Sequence, residues 1–148
     1  ELVYAKDDLQ LKFEGAWKHA SGESYVSTVT GMEYTISGIN DTDYDVTLIG
    51  EYLYDDRSMR QPYTNFDNDI FGAVRVAFNN TQNTTFTAGM FYDVDTSGTI
   101  GVLEFATRLT DAVKLEATAN IFHADDWSDP MAAIAHDSYI DVKLSTFF

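Results

Sequence analysis

Apolar residues in this chain recur at every second position over long stretches, and within each stretch the charged residues keep to the opposite parity. A period of two is the signature of a β-strand, whose side chains alternate between two faces. Leu9, Leu11, Phe13, Gly15 and Trp17 alternate with Gln10, Lys12, Glu14, Ala16 and Lys18. The series from Val26 to Ile36 stands opposite Glu33, and the series from Tyr44 to Tyr54 stands opposite Asp45, Thr47 and Glu51. Ile70 to Phe78 stands opposite Arg75, and Phe86, Ala88, Met90 and Tyr92 form a shorter series. Leu103 to Leu109 opposes Glu104 and Arg108, Leu115 to Ile121 opposes Glu116 and Asn120, and Ile140 to Phe148 opposes Asp141 and Lys143. About eight strands follow from Leu9 onward, and Leu2-Val3-Tyr4-Ala5 reads as the cut end of a ninth.

A soluble sandwich also alternates, so strand length and connector length must decide between water and lipid. The strands run to about 9–13 residues, near the span of a tilted membrane strand and longer than the usual soluble mode. Working back from the C-terminus, long connectors at 123–138 and 55–69 alternate with short ones at 110–112 and 40–43; 93–98 and 79–84 are intermediate and similar. Membrane barrels carry short turns at one end and long loops at the other. Aromatic residues then sort by depth on the apolar face. Trp17, Tyr52, Tyr54 and Tyr92 fall at the long-loop end, and Tyr44, Phe78, Phe86 and Phe148 at the other, as two interfacial girdles would. No run approaches the roughly 20 apolar residues of a membrane helix, a test that strands evade.

The net charge of −15 disfavours nucleic acid, which needs Lys and Arg to neutralise phosphate, and disfavours an anionic lipid surface. The acids gather in short connecting segments such as Asp41 to Asp45, Asp55-Asp56, Asp67 to Asp69 and Asp125-Asp126, where solvated loops are expected. Both prolines, Pro62 and Pro130, lie in polar stretches. The absence of cysteine excludes disulfides and thiolate metal sites.

The closing residues I-D-V-K-L-S-T-F-F resemble the C-terminal signal by which outer-membrane proteins are recognised by their assembly machinery, with Ile140, Val142, Leu144 and Phe148 as its apolar positions. The runs G-E-Y-L-Y-D-D-R (50–57), F-D-N-D-I-F-G-A-V-R-V-A-F-N-N-T-Q-N-T (66–84) and D-S-Y-I-D-V-K-L-S-T-F-F (137–148) resemble those of a family of uncharacterised Gram-negative outer-membrane proteins. Members of that family are longer, and the resemblance is to their C-terminal part over nearly the whole of this chain. It implies an outer-membrane barrel and carries no activity with it.

Three constellations bear on chemistry. Asp93-Val-Asp95-Thr-Ser97-Gly98 with Ile100 and Glu104 fits a calcium-binding EF-hand loop position by position. Its flanks are strand formers, however, and strand parity points Glu104 away from the loop. Asp93, Asp95 and Ser97 therefore read as a tight acidic hairpin with weak calcium affinity, and no firm metal site is expected. His19, His123 and His136 fall at the long-loop end, near Asp125, Asp126, Ser128 and Asp129 in sequence. His19 and His123 take the outward parity, so no nucleophile, base and orienting group converge. The third constellation is the set of inward charges: Lys12, Glu14, Lys18, Glu33, Glu51, Arg75, Glu104, Arg108, Glu116, Asp141 and Lys143. In a narrow barrel these must pair across a filled lumen; in a wide one they line water and set ion preference.

The expected fold is thus an all-β, antiparallel transmembrane β-barrel in a single domain, residues 1–148, with the alternative that it forms the C-terminal portion of a larger barrel. The expected function is a passive channel or transport-associated pore, without cofactor or catalysis, in the bacterial outer membrane. Its partners would be outer-membrane lipid, lipopolysaccharide and the barrel-assembly machinery. A non-conducting barrel whose long loops bind a surface ligand is the second reading, and a surface hydrolase using His123 or His136 the third.

Overall fold

In the computed structural model the alternating segments form nine strands among the described residues. They are β1 (Leu2–Lys6), β2 (Leu9–Ala20), β3 (Glu23–Ile36), β4 (Asp45–Asp55), β5 (Asn68–Ala77), β6 (Thr85–Asp93), β7 (Thr99–Thr110), β8 (Val113–His123) and β9 (Tyr139–Thr146). The structure describes every residue except Ser21, Met59, Pro62, Tyr63, Asn65 and Ser128, together with the side chain of Pro130; the expectations made for Pro62 and Ser128 lie outside the described residues. Each strand pairs antiparallel with the next, in the order β1 to β9. Sequential pairing is the arrangement that short connections favour. Two single 3-10 turns, Ile39–Asp41 and Pro130–Ile134, sit in connectors. No described helix is long and apolar enough to cross a membrane, which leaves crossing by strands untouched.

Register preserves parity across the whole sheet. Leu11 pairs with Met32, Leu48 with Val74, Leu103 with Ala119 and Ala119 with Ile140, so one face is apolar from edge to edge. Gln10 pairs with Glu33, Thr47 with Arg75 and Glu116 with Lys143 on the polar face. A slip of one residue in any ladder would exchange the two faces of that strand.

Neither face carries a second layer among the described residues. Among the described residues four hydrophobic side chains are buried, Tyr25, Ala73, Ile100 and Met131, against thirty large ones that are exposed. Within the strands, all of those exposed residues except Val3 and Tyr139 lie on the apolar face. Trp17, Tyr52, Tyr54 and Tyr92 stand exposed at one end of that face. Tyr44, Phe86 and Phe148 stand exposed at the other, with Phe78 edge-on to Tyr44 at 4.9 Å.

Leu2–Lys6, whose residues 2–5 read as the end of a ninth strand, is a formed strand of the sheet. Two features depart from expectation. The sheet is open, with β1 and β9 each paired on one side only among the described residues. These two edge strands run in the same direction, so they could meet only as a parallel pair unlike every other ladder. The connector expected to be short at 40–43 spans 37–44, because Gly38, Asn40 and Asp41 take left-handed backbone angles and wind a 3-10 turn before β4 begins. Asp45 and Asn79 then tie this connector to the next one at the same end, through Asn79 Nδ2 donating to Asp45 Oδ2 at 2.8 Å and to Asp43 O at 2.7 Å.

Candidate functional site at the loop end of the polar face

Buried residues gather almost entirely at the end of the sheet that carries the connectors 56–67, 94–98 and 124–138. There the polar face is packed and the connectors fold back onto it. Strand ends at this rim place Asp55, Asp69 and Asp93 with polar-face parity, since each is an odd-numbered residue of β4, β5 or β6. All three are buried.

The connector 56–67 is held at several points. Arg57 donates to Asp55 through Nε (2.7 Å) and Nη2 (2.6 Å), the paired geometry in which a guanidinium fits a carboxylate best. Its guanidinium also lies over the buried Tyr25 ring at 4.8 Å, adding a cation–π contact. Ser58 and Arg60 both donate to Glu23, and Gln61 donates to the Ala20 carbonyl at 2.5 Å. Near the end of the connector Phe66 packs on Phe91, which stacks on Phe71 at 4.3 Å between ring centroids. Gly89 makes room for that pair: a Cβ there would lie 2.9 Å from the Phe71 ring and 2.8 Å from Ala73 Cβ.

The connector 124–138 is held by Asp129. Its Oδ1 accepts from Met131 N at 2.6 Å, capping the turn Pro130–Ile134, and its Oδ2 accepts from Thr96 Oγ1 at 2.6 Å. An acid followed by proline is a helix-start signature, and here it sets the turn that buries Met131. Asp129 presses so closely on the 94–98 hairpin that a Cβ at Gly98 would sit 1.9 Å from its Oδ2.

The hairpin read as a calcium loop has other commitments. Asp93 Oδ1 accepts from Asp95 N and Thr96 N, Asp95 accepts from Asn68 Nδ2 at 3.0 Å, and Ser97 meets Tyr92 Oη at 3.1 Å. Glu104 lies farther along β7 on the polar face, exposed. No group of three or more acidic or histidine side chains stands in a metal-holding arrangement among the described residues.

The charges of the polar face divide into pairs and exposed singles. Lys12 forms an ion pair with Glu33. Glu116 accepts from Lys114 at 2.7 Å and lies 3.7 Å from Lys143. Glu51 lies against Gly31, and Glu14 lines a shallow cleft with Ser27 and Val29. Arg75, Glu104, Arg108 and Asp141 are exposed on the polar face and make no side-chain hydrogen bond or ion pair among the described residues. The histidines stay apart: His19 meets Ser24 at 2.9 Å on β2 and β3, while His123 pairs with the exposed Asp125 at 3.4 Å beyond β8. Ile140, Val142 and Leu144 form the apolar side of β9, with Phe148 just past its end.

Sequence reasoning did not find Asp69 with Asp93, Tyr25 with Arg57, or Asp129 with Gly98. The first pair was discoverable, because both acids carry polar-face parity at adjoining strand ends. The other contacts join segments far apart in sequence and leave no spacing signal.

Burial pushes the Asp67 carboxyl above the usual carboxylate range, and the negative charge of Asp93 adds to the shift. The folded state therefore holds this proton more tightly than the unfolded chain. The resulting stabilisation is present at low pH and is lost as pH rises through the folded-state pKa. A carbon-detected NMR titration in metal-free buffer should place the Asp67 midpoint above that of an ordinary aspartate, and Asp93→Asn should bring it down. An unshifted midpoint in the parent protein would contradict the burial assigned to this carboxyl.

No family model, curated protein or solved structure matches the chain.

Proposed function

We propose that this chain forms the wall of a membrane-spanning β-barrel of the bacterial outer membrane, acting as a passive channel or transport-associated pore whose acidic mouth favours cations. The observation that carries this reading is the apolar face, continuous over nine strands, exposed and, among the described residues, covered by no second layer. A sheet in water must bury one face against another layer, since apolar burial is the main term favouring folding. The four hydrophobic side chains buried among the described residues are too few to hold a chain of this size in water. Lipid supplies the missing layer, aromatic girdles mark its two boundaries, and water meets the polar face. Unpaired ladder edges are excluded from hydrocarbon, so in the bilayer β1 and β9 must each gain a strand. Because they run in the same direction, antiparallel closure takes an odd number of further strands.

On this reading Arg75, Glu104, Arg108, Glu116 and Lys143 line the water-filled side, and the loop-end acids set the charge of the mouth. The partners are outer-membrane lipid, lipopolysaccharide and, through Ile140, Val142, Leu144 and Phe148, the assembly machinery. No catalytic role or cofactor is assigned. Reconstitution in planar bilayers should give channels with cation preference, and Glu104→Lys should move the reversal potential toward anions. Failure to conduct at any voltage would sink the pore and favour the second reading, a barrel whose loops bind a surface ligand. That second reading draws on Trp127, 91 % exposed on the connector 124–138.

A further inference from the structure

Asp69 and Asp93 are directly paired across β5 and β6, both on the polar face, at 2 % and 3 % exposure. Two carboxylates buried side by side each lose hydration and repel one another, a cost that calls for a compensating cation or proton. Asp69 Oδ2 is buried and has no hydrogen-bond partner among the described residues. The charges that bear most on that carboxyl are the acids Asp93 and Asp67. Arg57 and Arg60, the basic residues of the connector 56–67, are engaged with Asp55 and Glu23. Both described bonds to the Asp93 side chain fall on Oδ1.

We infer that the loop end binds a calcium ion between Asp69 and Asp93, with Asp67 at its margin. The ion differs from an EF-hand site in its ligands: Asp69 comes from β5, while Asp95, Ser97 and Glu104 take no part. Calcium accepts six to eight oxygens of mixed kind in flexible geometry, so two carboxylates can be completed by backbone carbonyls and water. Magnesium demands a near-ideal octahedron and sheds water reluctantly, which suits a buried pair poorly. Bound there, the ion cross-links the ends of β5 and β6 and pins the connector 56–67 to the hairpin 94–98. The inference stands on the rim alone and does not depend on conduction.

The test uses the whole chain refolded in detergent micelles at neutral pH, stripped with chelator. Calcium titration by calorimetry, with tyrosine-sensitised terbium luminescence in parallel, should give one site of about 10⁻⁴–10⁻³ M, the range of extracellular calcium modules. Asp69→Asn with Asp93→Asn should weaken binding at least about tenfold while the strand signal in circular dichroism is kept. Asp43→Asn, at the opposite end of the sheet, should leave it unchanged. No calcium binding up to about 10 mM would overturn the inference and leave a shared proton as the compensation. Binding that survives the double substitution would overturn it as well. Should the double variant lose its strand signal, Asp69→Asn alone must weaken binding, and unchanged affinity there would be equally fatal.

Discussion

Arginine in place of Val74 should cripple folding into lipid bilayers, while lysine in place of Thr87 should be tolerated. Val74 sits mid-strand in β5, exposed on the apolar face and paired with Leu48. Thr87 pairs with Arg75 and Glu104 on the polar face, close in height to Val74 but facing the other way. If the apolar face meets hydrocarbon, a cation at its mid-height costs about 2–4 kcal/mol. Marginal stabilities of about 5–15 kcal/mol make that a large fraction of the whole. A long charged side chain among water-facing groups costs little, and at Thr87 it also gains Glu104 as a neighbour. Urea titrations of the refolded protein in lipid vesicles measure the difference. Equal stabilities for the two variants would remove the lipid from contact with this face. A solvated apolar face would instead gain solubility from Val74→Arg and lose nothing.

Gly98→Ala should detach the connector 124–138 from the rim. The added Cβ would lie 1.9 Å from Asp129 Oδ2, a distance no heavy-atom contact sustains, so either the hairpin or the connector must move. Moving the connector sacrifices the bond from Thr96 to Asp129, a hydrogen bond to a charged group worth about 1.5–3 kcal/mol. The capping bond to Met131 travels with the connector and is kept. Met131, buried at 3 % exposure beneath this latch, then becomes reachable. Its oxidation by peroxide should accelerate about ten- to hundredfold, following the free energy of the lost bond at 1.4 kcal/mol per factor of ten. Thr96→Val removes the same bond without the clash and should show a smaller effect in the same direction. Oxidation as slow as in the parent protein would mean that Asp129 does not hold the connector down.

How much of this rim was legible in advance depends on the range of the contacts. The Asp129–Pro130 cap announces itself locally, because the acid satisfies an amide two residues ahead and proline is suited to the first position of a turn. The EF-hand-like spacing of Asp93, Asp95 and Ser97 is equally visible, yet it describes a hairpin whose acids bond to its own amides and to Asn68. Spacing alone cannot tell a loop that wraps an ion from one that wraps its own backbone. Gly98 reads as a turn glycine, and its backbone angles are not left-handed. Its need to be glycine comes from Asp129, thirty-one positions on in the chain, through a contact that only folding creates.

The sequence by itself determined the strands, their faces and their order. Period two is a property of the extended backbone, and parity of charge assigns each side chain to one face before any strand meets another. Short connectors then leave sequential antiparallel pairing as the economical arrangement. Tertiary structure alone decided two further matters. It left the sheet open, since nine strands bring two edges of like direction that cannot continue the antiparallel pattern. And it buried acids such as Asp55 and Asp69 that were expected in solvated loops: with Asp93 and Asp129 they are the most buried polar groups among the described residues, because the connectors 56–67 and 124–138 fold back onto this rim. A loop's composition sets its affinity for water, whereas its path is set by what it can bond to at the far end.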